Sequence, residues 1–282
     1  MSLPPPVPVT SPTASLPPAT RRPGSPVAGF GLDLLIAIGA LLALSLVCSV
    51  VWGLWRGIEV GMEAARTGAG TPAAADMADL LGQPGALAQM LIALIGTGGA
   101  ALLLYFWRRR ATPAERTQSR VAALRPATWG WTVLVAACVF AGSSLIGMIA
   151  KQFGIEPVPT NLPLMEQALA NYPAFLVAFA VFLAPAYEEL LFRRVLFGRL
   201  WAADRPWLGM LLSSAAFALV HEIPGTSPNT LPAMIQLWLI YGGMGAAFAW
   251  LYRRTGTLWA AIGAHSINNA IALAALVIFG TQ

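Results

Sequence analysis

Seven stretches of this chain run without a single charged residue, most of them for the length a helix needs to cross a lipid bilayer. They are 34–55, 80–107, 126–150, 167–187, 206–221, 223–252 and 255–282, the fourth continuing through a pair of glutamates. A spanning helix takes about 20 mostly apolar residues. In hydrocarbon only helices and closed barrels satisfy every backbone polar group. The runs are too long and too continuously apolar for alternating barrel strands. Hydrophobic residues make up 57% of the chain and charged residues 10%, and the mean hydropathy is +0.68. The fold expected is therefore all-α, a polytopic transmembrane helical bundle of about seven spans.

The cations set its orientation. The net charge is +5, from 17 Lys and Arg against 12 Asp and Glu. The arginines gather at the ends of apolar runs: Arg108, Arg109, Arg110, Arg116, Arg120 and Arg125, then Arg199 with Arg205, then Arg253 with Arg254. Segments 56–79, 151–172 and 222–232 between them hold few cations. Basic and non-basic segments alternate, which puts the N-terminus in the cytoplasm by the positive-inside rule and the C-terminus outside. Trp107, Trp129, Trp201, Trp207 and Trp259 fall near the expected interfaces, as an aromatic belt does. This placement argues against nucleic acid as a partner; the partner expected is the lipid bilayer. Residues 1–28, rich in proline, read as a disordered tail, and the apolar run after Arg21-Arg22 reads as a retained anchor rather than a cleaved signal. Residues 29–124 read as N-terminal membrane helices with a basic cytoplasmic loop, and 125–282 as the membrane domain that carries the chemistry. Cys48 and Cys138 fall inside spans with no C-x-x-C pattern and read as packing residues.

Against this apolar background three polar signatures stand out. Glu188-Glu189-Leu190-Leu191-Phe192-Arg193 ends one run, Phe217-Ala218-Leu219-Val220-His221 ends another, and His265-Ser266-Ile267-Asn268-Asn269 lies inside the last. His221 and His265 are the chain's 2 histidines. An ionisable side chain at membrane depth costs roughly 2.5–3.5 kcal/mol on insertion scales and marks a functional site by default. At ~1.5 Å rise per residue from the basic end, Glu188 lies about 18 Å along its helix, His221 about 21 Å, His265 about 12 Å and Asn269 about 18 Å. All four fit one layer. Residues four apart share a helix face, which pairs Glu189 with Arg193, Phe217 with His221 and His265 with Asn269. Glu188 points about 100° away from Glu189. The expectation is a structural Glu189–Arg193 ion pair, with Glu188 free toward a cavity as a general base. Asn268, by the same spacing, points away from the His265 face. His221-Glu222 does not continue into a zinc-protease H-E-x-x-H, because position 225 is Gly225 after Pro224.

Glu-Glu-x-x-x-Arg, Phe-x-x-x-His and His-x-x-x-Asn, in that order on successive membrane helices, resemble the CPBP intramembrane proteases, also called the Abi family. That family includes the type II CAAX prenyl endopeptidases. The resemblance covers roughly residues 125–280. It implies a helical membrane endopeptidase of a peptide or protein substrate, in which Glu188 and His221 activate water and His265 and Asn269 stabilise the oxyanion. Glu189, Arg193 and Phe217 are the supporting residues. No cofactor is required on this reading. The alternative is zinc held by Glu188, His221 and His265. The location expected is the cytoplasmic membrane of a bacterium-like cell, with multiple passes. The competing readings are a non-catalytic membrane immunity or scaffold protein, whose polar cluster only joins helices, and a proton-coupled transporter, since Glu and His chains also relay protons. Loss of function on structural truncation but not on Glu188→Gln would favour the scaffold; a substrate-sized pore opening to alternating faces would favour the transporter.

Overall fold

The computed structural model describes residues 24–68 and 79–280, and among these every regular element is a helix. Residues 1–23, most of the tail read as disordered, and the 69–78 part of the segment after the first span lie outside the described residues.

Helix α1, Pro26–Thr67, opens with proline in its first turn behind Ser25, whose side chain accepts from the Ala28 amide, and it stops at Gly68, where φ is 68°. It therefore takes in residues 26–28 of the tail. It also corrects the sequence reading of a loop from 56 onward: with no proline between Arg56 and Thr67, and with Arg56–Glu59 and Glu63–Arg66 pairs on its surface, nothing stops the helix. Its 42 residues make a rod of about 63 Å, twice the hydrocarbon thickness. Helix α2, Ala86–Arg108, begins after Pro84 rather than at 80. It presses its glycines on α1, Gly96 against Ser45 and Gly99 against Leu44, the close approach that small residues permit between membrane helices.

The basic loop that follows is itself largely helical. In α3, Pro113–Ala123, the Thr112 side chain accepts from the Glu115 amide while Glu115 reaches back to the Thr112 amide, a reciprocal cap. Helix α4 is Pro126–Gln152. The fourth uncharged run, from 167, takes in the end of α5, Leu162–Asn171, before the spanning helix α6, Pro173–Trp201. They part at Tyr172-Pro173, since proline has no amide with which to continue a helix. Then come α7, Pro206–His221, α8, Leu231–Thr255, and α9, Leu258–Phe279. Helix α8 starts later than the apolar run suggested, because Pro224, Gly225 (φ 86°) and Pro228 hold a loop. Six helices, α1, α2, α4, α6, α8 and α9, are long and apolar enough to span a membrane; α7, at 16 residues, is shorter.

Helix α6 runs through the centre. Its segment from Leu191 to Phe197 is wholly buried, against Phe217 of α7, Phe248 and Leu251 of α8, and Ala260, Ala261 and Ala264 of α9. At the basic end the fully buried Asp33 of α1 takes both Arg108 and Arg199, Arg109 donates to the Gly198 carbonyl at 2.8 Å, and Arg194 grips both oxygens of Glu115 at 3.1 and 2.9 Å. At the opposite end the buried Glu222 accepts from Thr160, Ser227 and Asn229, while Asn229 pairs with the Val158 backbone at 2.9 and 2.8 Å. These two polar clamps fix the ends of the helices that carry the three signatures.

Candidate active site

The glutamates sit on one α-helical turn, Ala184–Glu189, between two π-helical segments of α6, Ala178–Leu183 and Leu190–Phe197. Such wide turns inside α-helices are frequent at functional sites. Pro185 supplies a local cause, because a helix cannot close its normal bond at a residue without N–H.

The structure brings the three signatures together. Nε2 of His221 and Nε2 of His265 each lie 3.8 Å from the same oxygen, Oε2 of Glu188. The two glutamates differ as their 100° separation predicts. Glu189 is wholly buried, its Oε2 2.8 Å from Nε of the equally buried Arg193, whereas the Glu188 side chain keeps 16% of its surface exposed. Glu189 does more than pair with the arginine: its other oxygen lies 2.9 Å from Nδ1 of His265. The Arg193 guanidinium rests over Phe217, 4.7 Å from the ring centroid, with Phe192 and Phe248 at 5.8 Å. A cation in a dry aromatic surround is held by the ring quadrupoles.

The tautomers follow from the partners. His221 Nδ1 lies 2.8 Å from the Phe217 carbonyl oxygen, which can only accept, so Nδ1 carries the hydrogen. His265 Nδ1 donates to the Glu189 carboxylate in the same way. In both neutral rings Nε2 is then left with a lone pair facing Glu188. Ring stacking fixes the imidazole planes. His221 lies between Phe217, centroids 4.3 Å apart, and Tyr241 at 4.6 Å, and His265 stacks on Phe248 at 5.2 Å. Phe217 thus touches His221, His265 and Arg193 at once and is the packing centre of the site.

Asn269 lies one turn beyond His265, but its Nδ2 donates to the Ala180 carbonyl of α6 at 2.9 Å. Asn268 approaches Met244 Sδ at 3.5 Å. Neither Tyr241 beside His221 nor Ala180 beside Asn269 was read from the sequence. Pro185 was the available signal for the second: a missing amide implies a carbonyl in need of a donor. A groove of about 560 Å³ between α7 and α8 is lined by apolar side chains such as Trp207, Leu211 and Trp238 and by none of these residues.

The donor chemistry of Glu188, His221 and His265 suits zinc, with both Nε2 lone pairs free. The spacing does not. Ligands about 2.0–2.2 Å from a tetrahedral zinc stand roughly 3.3–3.5 Å apart, closer than the 3.8 Å found between Glu188 and each histidine. Among the described residues no group of three or more His, Cys, Asp and Glu side chains has the spacing of a metal site.

Comparison with known proteins falls on the same stretch. Residues 170–271, which contain all three signatures, match the family described as type II CAAX prenyl endopeptidase Rce1-like. A protein of Bacillus subtilis (strain 168) named "Putative membrane peptidase YdiL" is 30% identical over 117 residues, covering 42% of this chain and 43% of that protein. The matched part is therefore less than half the length of that relative. No solved structure matches. Over the segment that assembles Glu188, His221 and His265, the chain is similar to the Rce1-like, type II CAAX prenyl endopeptidases, the family its motifs resemble.

Proposed function

We propose that the protein is an intramembrane endopeptidase that hydrolyses a peptide or protein substrate within or beside the bilayer, in the cytoplasmic membrane of a bacterial cell. The observation that carries the reading is the convergence of two imidazole nitrogens on one carboxylate oxygen, each at 3.8 Å. A single water donating one hydrogen to Glu188 Oε2 and one to His221 Nε2, at about 2.8 Å each, fits that gap. Glu188 takes the water proton as general base while the water oxygen attacks the peptide carbonyl carbon, and the same proton passes on to the leaving amine. His221, pinned by the Phe217 carbonyl and by two aromatic faces, keeps the water aimed.

The oxyanion formed by the attack needs a donor. His265 supplies one when its Nε2 is protonated, and the Glu189 carboxylate on the opposite ring nitrogen supports the positive charge that this creates. A preorganised donor of this kind is typically worth ~10²–10³ in turnover. Asn269, the other residue assigned to the oxyanion by resemblance, already spends one amide hydrogen on Ala180. No step is routed through a metal ion. The test is peptide cleavage by purified, bilayer-reconstituted protein, wild type beside Glu188→Gln. Turnover in the wild type that survives the substitution would end the reading.

A further inference from the structure

Asn269 has a task that neither its motif nor the family match assigns. The segment Ala178–Leu183 is π-helical, the register in which an amide bonds the carbonyl five residues back, and at its end the Ala184 amide meets the Phe179 carbonyl. The next bond in that register would join residue 185 to the Ala180 carbonyl. Residue 185 is Pro185, which has no N–H. The carbonyl left over is the one that Asn269 Nδ2 meets at 2.9 Å. A carbonyl without a donor in the dry interior of a membrane protein is strongly unfavourable. A side chain from α9 therefore replaces a backbone bond of α6.

We propose that Asn269 is a positioning residue: it caps the Ala180 carbonyl orphaned by Pro185 and so fixes the turn that carries Glu188. Glu188 lies three residues beyond Pro185, one turn away. One helix, α9, then grips α6 on both sides of that glutamate, through Asn269 on Ala180 and through His265 on Glu189. The two grips come from side chains four apart on one face of α9, which accounts for the His-x-x-x-Asn spacing without asking both residues to reach the substrate. The carboxylate is thereby held against two histidines that are themselves rigidly seated.

The experiment is a double-mutant cycle between positions 269 and 185, read by melting temperature and by the kcat and KM of peptide cleavage; only the turnover arm rests on the protease reading. Asn269→Ala should lower Tm by about 2–4 °C and kcat by about 10²-fold, the scale of a small misplacement of reacting groups, with KM little changed. Pro185→Ala returns an amide at the position facing Ala180. Measured on the Pro185→Ala background, both losses from Asn269→Ala should largely vanish. Asn269→Leu keeps the size and removes the donor, so it should behave like Asn269→Ala. Equal Tm losses on the two backgrounds would overturn the proposal, as would a turnover loss of equal factor on both, which is what an oxyanion donor gives, or wild-type behaviour of Asn269→Leu. Should Asn269→Ala alone fail to fold, recovery of folded protein in the double variant supports the proposal and failure to recover overturns it. Wild-type protein without peptidase activity would sink the protease reading and leave the melting cycle to decide this one.

Discussion

Replacing Glu189 with Gln should destabilise the protein far more than replacing Glu188, although the two are neighbours in sequence. Glu189 is fully buried and serves two partners, Arg193 at 2.8 Å and His265 at 2.9 Å. Removing one member of a buried ion pair costs roughly 3–5 kcal/mol, because the other charge stays behind unpaired. Two features soften that figure. The Arg193–Glu189 contact is close but lacks the direction of a true hydrogen bond, and Arg193 would keep its three phenylalanine faces, each worth about 0.5–1 kcal/mol or more when dry. A loss of about 2–4 kcal/mol remains. At about 2–4 °C per kcal/mol for a chain approaching this size, Tm falls by roughly 5–15 °C. Glu188 has no partner nearer than 3.8 Å, so Glu188→Gln should move Tm by no more than about 2 °C while abolishing turnover. Tryptophan fluorescence melts in detergent, run beside a cleavage assay, read both. A larger Tm loss for Glu188→Gln than for Glu189→Gln would refute this division of labour.

Further outcomes are expected. Active protein should carry no stoichiometric zinc by elemental analysis; one zinc per chain, lost together with activity on chelation and restored with it, would replace the metal-free mechanism. Twelve Lys or Arg fall in the segments expected to be cytoplasmic and three in those expected outside, with Arg193 and Arg194 within α6, so a topology reporter after Arg120 should read cytoplasmic and one at Thr226 outside; the reverse at either point defeats the orientation. Glu115 lies in α3, outside the spans. Burial pushes its carboxyl up, but hydrogen bonds from Arg194 and Thr112 and the Arg194 charge hold it below its ordinary 4.5. A carboxylate depressed in the folded state adds stability above its unfolded value and loses it as pH falls through the folded one. The stability advantage of wild type over Glu115→Gln should therefore be full at neutral pH and shrink below pH 4.5; parallel pH profiles would count against the Arg194 grip.

How much of this was legible follows from which forces act along the chain and which act across it. The apolar runs located all of α1, α2, α4, α6, α7, α8 and α9, since hydrocarbon thickness is a one-dimensional constraint. The runs did not locate helix ends. Residues 56–67, 113–123 and 162–171 are charged or mixed in composition, and their helices depend on local caps and breakers such as Thr112 with Glu115 and Tyr172-Pro173. At the site, spacing alone separated Glu188 from Glu189 and paired Glu189 with Arg193. Tyr241 beside His221, and Glu189 beside His265, depend instead on how neighbouring helices are rotated against one another, a relation between helices that no periodicity within one of them encodes.

The arrangement also limits what can lie at its centre. Glu189 is neutralised by Arg193, which leaves Glu188 as the acidic group without a cation of its own. With Nδ1 of both histidines donating outward, three acceptors face one another across 3.8 Å: two nitrogen lone pairs and a carboxylate oxygen. Three acceptors cannot bond to each other, and in a low-dielectric interior unpaired polar groups are costly. One water has two hydrogens and satisfies two of the three. The third needs one more hydrogen-bond donor, from a second water or from the substrate. The two rings differ in what backs them: the Glu189 carboxylate meets Nδ1 of His265, and a neutral backbone carbonyl meets Nδ1 of His221. That asymmetry favours the proposed division, with the water on Glu188 and His221 and the oxyanion on His265. A zinc ion at this point would have to displace that water and draw both Nε2 atoms closer to Glu188 than 3.8 Å, which is what the zinc measurement tests.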